Sequence, residues 1–231
     1  MGSCTFTPEP EKLITSGRMS KNRRRQRLAH HILFSVGSVG LTLIFMRLFP
    51  DRDLVSGLSI GTAYAALFLM AMTLLLGPLN VLRKRANPVS FDLRRDCGIW
   101  AGIVALVHTV VGLNVHLRGT MWLYFVDASH HLRRDAFGVG NYTGIIAAFV
   151  CVLLLALSND ISLRKLGIGR WKSLQRWAYA AIVLTAAHSI AYQQIETRSG
   201  PFRVLLYLLL GTLFGFQIIA AIKYRNRALK I

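Results

Sequence analysis

Seven histidines are the residues of this 231-residue chain best suited to chemistry, and two of them, His108 and His188, lie deep inside apolar stretches. Ionisable side chains are expensive in such surroundings and are functional candidates by default. Two neutral imidazoles that face each other across a helical bundle can bind a haem iron from both sides of its ring. The plainer alternative is a buried histidine bonded to a neighbouring carbonyl. His116 is a third candidate, His30 and His31 follow a basic run and read as interfacial, and His130 and His131 read as a solvated loop pair rather than metal ligands. Cys4, Cys97 and Cys151 form no CxxC or CxxCH motif, which argues against structural zinc, a thioredoxin-type site and covalent c-type haem. GxSxG, HExxH and P-loop motifs are absent, so hydrolase and nucleotidase readings have no support.

The elements that must carry these residues follow from composition. Hydrophobic residues make up 53% of the chain and charged residues only 16%, against roughly 25% charged in soluble domains. The apolar residues come in six blocks, at about 30–49, 54–79, 97–117, 138–158, 171–193 and 201–222. Each is long enough to cross a bilayer, which takes roughly 17–25 mostly apolar residues. Inside lipid such blocks must be helical, because nothing else satisfies the backbone amides. The expected fold is therefore all-α, a polytopic membrane protein of six transmembrane helices, and a haem-binding helical bundle if the two deep histidines act as iron ligands. A basic tail over 1–29 and a short tail over 223–231 flank the membrane domain at 30–222.

Lys and Arg outnumber Asp and Glu by 28 to 10. With the N-terminus inside, 21 of the 28 fall in inner segments and seven outside, a strong positive-inside bias. The charge thus reads as a topology signal rather than a nucleic-acid footprint, and both termini are expected on the cytoplasmic side. Taking the outer helix ends near Leu117 and Gln193, His108 lies about 14 Å below the surface and His188 about 8 Å, at 1.5 Å per residue. His116 also satisfies this depth test, but Asn114 and Arg118 place it near the headgroups, which favours His108. Acidic residues are nearly absent from the six blocks, which speaks against a haem-free transporter; an assembly factor is the other reading of that class.

Two stretches carry a resemblance. RRDCGIWAGIVALVH (Arg94–His108) joins paired Arg, Gly-x-Trp and a histidine; ALSND, LRKLG and WKSLQRWAYAAIVLTAAH (Trp171–His188) join a basic loop, an aromatic run and a second histidine. Together they resemble the ferric-reductase-like transmembrane domain, and within it the haem-binding membrane subunits of bacterial periplasmic methionine sulfoxide reductase systems. The resemblance covers about 30–222, with specific matches in spans three to five.

It implies a b-type haem between spans three and five, axial ligation by His108 and His188, and electron transfer across the membrane. Many members carry a further inner histidine about 13 residues earlier on span five, where this chain has Gln175. Guanidinium stays protonated and cannot ligate iron, so Arg94 and Arg95 do not replace the missing partner and one haem is expected. Arg94, Arg95 and Arg176 are instead candidates to pair with haem propionates or a flavin phosphate, beside their role as inside-positive charge. No glycine-rich dinucleotide fingerprint occurs. Electrons are therefore expected from a separate flavoprotein reductase, a bound FMN, or quinol. The acceptor would lie at the outer face, with a periplasmic reductase subunit as candidate partner; a stand-alone metal or quinone reductase is the rival within the family. An electron-transfer subunit fits better than a self-contained enzyme.

Overall fold

The computed structural model describes residues 21–48, 52–82, 91–117, 120–196 and 200–228. Their regular structure is helical: α1 (Lys21–Arg47), α2 (Leu54–Leu82), α3 (Phe91–Gly112), α4 (Ala136–Leu157), α5 (Asp160–Gln175), α6 (Trp177–Ile195) and α7 (Gly200–Ala228), with one short 3₁₀ turn at Met121–Tyr124. Five of these helices, α1 to α4 and α7, are long and apolar enough to cross a membrane.

The segment expected as one span over 171–193 is divided. Gly167 has φ +72° and interrupts α5, and the helix then stops at Gln175. Only glycine adopts that backbone conformation without strain. Arg164, Lys165, Arg170 and Lys172 keep α5 polar, and α6 begins afresh at Trp177. With 19 residues, α6 is not among the five apolar spans. At the other end of the chain, α1 begins at Lys21, inside the stretch expected as tail. The basic run is helical there because α3 supplies its counter-ions: Arg23 binds Asp92 at 2.6 Å and Arg27 binds Asp96 at 2.7 Å.

Helix α2 is the centre of the bundle. It packs on α1, α3 and α7, and Ala65, Leu67, Leu69 and Leu74 form the core with Cys97 and Ala101 of α3 and Leu206 and Leu213 of α7. Small residues permit these approaches: a Cβ on Gly61 would lie 2.6 Å from the Thr42 carbonyl, and one on Gly102 would lie 2.9 Å from Leu155. A second close pair is α4 with α6, while α3 and α6 are not among the well-packed pairs. The opposite faces are apolar and exposed, as in the stripe Ile32, Val36, Val39 and Leu43 of α1, which has the spacing of one helix face.

The connection from α3 to α4 is compact. Buried Tyr124 receives the His116 amide at 3.0 Å and donates to the Gly112 carbonyl at 3.3 Å, closing the end of α3. Asp135 caps α4 by accepting from the Gly138 amide at 2.8 Å. Arg133 beside it, with that amide, holds the Asp135 carboxyl below its ordinary range.

Candidate functional site

Helix α3 presents His108 to α2, where the imidazole Nδ1 meets the Ser59 carbonyl at 2.9 Å. Helix α6 presents His188 to α4, where Nδ1 meets the Gly140 carbonyl at 2.8 Å. A carbonyl oxygen only accepts, so Nδ1 carries the proton in both rings. In the neutral form, the lone pair then belongs to Nε2. This arrangement, one ring nitrogen tied to a carbonyl and the other basic, is how proteins orient a metal-binding histidine.

Glycines make the anchorage of His188 possible. A Cβ on Gly144 would sit 2.6 Å from His188 Nδ1, and one on Gly140 would sit 3.2 Å from the Tyr192 ring. Any side chain at 144 would therefore push the imidazole off the Gly140 carbonyl.

The two ring centroids are 6.0 Å apart at 73°. A metal with one imidazole on each side, at about 2 Å per bond, needs nearly that separation once the ring radius is added. Between the helices lies a cavity lined by both histidines and by apolar side chains such as Ile60, Leu67, Met70 and Ala148. Donor chemistry, spacing and the gap between α3 and α6 all fit a flat, largely apolar prosthetic group. Among the described residues no set of three or more His, Cys, Asp or Glu side chains could hold a bare metal ion.

The other sequence candidates lie elsewhere. His116 pairs through Nε2 with Glu196 Oε1 at 3.1 Å and packs edge-on to Phe137. His130 stacks on Trp122 at 5.1 Å with φ +62°. Arg94, Arg95 and Arg176 do not line the cavity. Arg95 is buried and donates to Asp160 at 2.5 Å and to the Ser158 carbonyl at 3.0 and 3.1 Å. Arg94 reaches toward Gly77, and Arg176 is exposed at the junction of α5 and α6. Gln175 has a buried Nε2 with no partner among the described residues.

Sequence reasoning missed Asp96. It is fully buried and gathers Arg27, His30 at 3.1 Å and His31 at 3.5 Å, while Trp100 donates to His31 Nδ1 at 3.2 Å. A signal was present: Arg23 and Arg27 on α1 and Asp92, Asp96 and Trp100 on α3 each recur every four residues, one per helical turn.

Comparison with known proteins places the chain in a family. The model of the family described as "ferric reductase like transmembrane component" matches residues 62–186, from within α2 to two residues before His188. A curated relative, the protein-methionine-sulfoxide reductase heme-binding subunit MsrQ of Azospira oryzae, is 32% identical over 114 residues, covering 47% of this chain and 46% of the relative. The chain thus spans about half the length of that relative. No solved structure matches. With more than half of its residues inside the family model and its two deepest histidines brought ring to ring, the chain belongs to the ferric reductase like transmembrane component family.

Proposed function

We propose that the chain is a membrane b-type cytochrome subunit that carries electrons between the two faces of a bacterial inner membrane. The observation that carries the reading is the pair of carbonyl-anchored imidazoles 6.0 Å apart, between helices that do not pack on each other. His108 and His188 would hold the haem iron, and the bound haem would supply one-electron redox chemistry. The chain's own part is orientation and environment. Ser59 and Gly140 fix the ring tautomers; Ile60, Leu67, Met70 and Ala148 keep the cavity apolar and exclude water.

The proposed direction is from a separate cytoplasmic-side donor (a flavoprotein reductase or quinol, with FMN or quinone as an intermediate carrier) to an outer-face acceptor. The name of the Azospira relative favours a periplasmic methionine sulfoxide reductase as that acceptor. One haem per chain is proposed, because Gln175 stands at the inner position and Arg95 is committed to Asp160.

Purified protein in detergent is expected to show a Soret band that shifts on dithionite reduction, with extracted haem near one per chain. A colourless folded preparation would refute the cytochrome reading, and a ratio near two would refute the single site. Orientation is checked separately. A reporter active only in the cytoplasm is expected to be on when fused after Ile231 and off when inserted within 120–135; the reverse pattern would invert the topology.

A further inference from the structure

A b-type haem carries two carboxylates on an otherwise apolar ring. Buried carboxylates need donors or cations, since unpaired charge in low dielectric is expensive. The sequence pointed to Arg94, Arg95 and Arg176 for this task, yet none of them lines the cavity. Apart from the two facing histidines, the described residues that line it include two side chains that can carry positive charge, Arg52 and His116, and both are partly exposed, at its mouth. They come from different connections: Arg52 precedes α2 and His116 follows α3.

Glu196, just past the end of α6, holds them together. Arg52 Nη1 donates to Oε2 at 2.8 Å and His116 Nε2 lies 3.1 Å from Oε1. Nearby on α6, Gln193 is 3% exposed; its Nε2 donates to the Tyr64 hydroxyl at 3.2 Å and its Oε1 has no partner among the described residues. Away from this mouth the lining turns apolar, through Leu67 and Met70 of α2 and Ala148 and Cys151 of α4. The cavity is therefore amphipathic along its length, with donors at one end and an apolar body, which matches the polarity of the ring itself.

We propose that Arg52 and His116 anchor the carboxylates of the prosthetic group at the cavity mouth, and that Glu196 is the internal anion that positions these donors and competes for them. The proposal rests on the haem reading above. It predicts effects of opposite sign from the two sides of one salt bridge. Arg52→Gln removes an anchor, so haem binds more weakly. The carboxylates are then less compensated and favour ferric iron, which lowers the midpoint potential. Glu196→Gln removes the competitor and its charge, so haem binds more tightly and the potential rises.

The test is titration of haem into the haem-depleted full-length chain in detergent, followed by a spectroscopic redox titration. At least a tenfold rise in dissociation constant is expected for Arg52→Gln and a fall for Glu196→Gln, with Arg94→Gln unchanged. A merely structural clasp would make both mouth variants weaken binding alike, and that outcome overturns the proposal, as does wild-type behaviour in both. If Arg52→Gln does not fold, Glu196→Gln decides alone through the sign of its two shifts. A wild-type chain that takes up no haem refutes the cytochrome reading instead, so the two failures are distinguishable.

Discussion

Replacing His108 or His188 with Ala is expected to abolish the low-spin haem spectrum, whereas His116→Ala, which removes a proposed carboxylate anchor but no iron ligand, weakens haem binding and keeps the bound haem low-spin. The two rings lie 6.0 Å apart, and in the proposed site each imidazole would hold one side of the iron, so losing one would expose the other side. Even an outer hydrogen-bond partner of a ligating histidine is worth about 10–100-fold in metal affinity, so loss of the ligand itself should reduce haem content at least about tenfold. His116 is turned to Glu196 and Phe137 and does not face His188. Pyridine haemochrome assay against protein concentration reads the result directly. Haem lost from His116→Ala but kept by His108→Ala would transfer the ligand on α3 from residue 108 to residue 116.

Asp96→Ala carries the largest expected cost in stability. The carboxylate has no solvent exposure, and Arg27, whose side chain is 14% exposed, is bound to it. Breaking a buried pair from one side leaves an uncompensated charge and costs about 3–5 kcal/mol. The double variant Asp96→Ala with Arg27→Leu should recover much of that loss, because removing both charges avoids the desolvation penalty. Thermal unfolding of the four proteins in one detergent closes the cycle. A single variant within about 1 kcal/mol of wild type, the typical worth of an exposed pair, would show that the α1–α3 contact does not depend on this charge.

The apolar blocks located the helices because lipid-facing and core-facing residues are both apolar, and the centres of α2, α4 and α7 lie where hydropathy put them. His108 and His188 were legible because an imidazole in such a block stands out. The division of the fifth block was not: Trp171, Trp177 and Tyr179 made 171–193 look continuous, while the structure ends one helix at Gln175 and starts the next at Trp177, with Arg176 between them. Asp96 was hidden because its counter-ions lie on another helix, and hydropathy contains no information on which helix packs on which. For the same reason the mouth escaped notice. Arg52 and Glu196 are 144 residues apart in sequence and meet only because three connections converge at one end of the bundle.

The close packing of α2 with α3 and of α4 with α6, which meet where α3 packs on α4, has a consequence for biogenesis. His108 is tied to the first pair through Ser59, and His188 to the second through Gly140. Each hairpin-like unit can assemble, with its imidazole already oriented, as it leaves the translocon. On the proposed reading a prosthetic group would meet two oriented half-sites and act as a rivet between them, beside the seam that α3 and α4 already form.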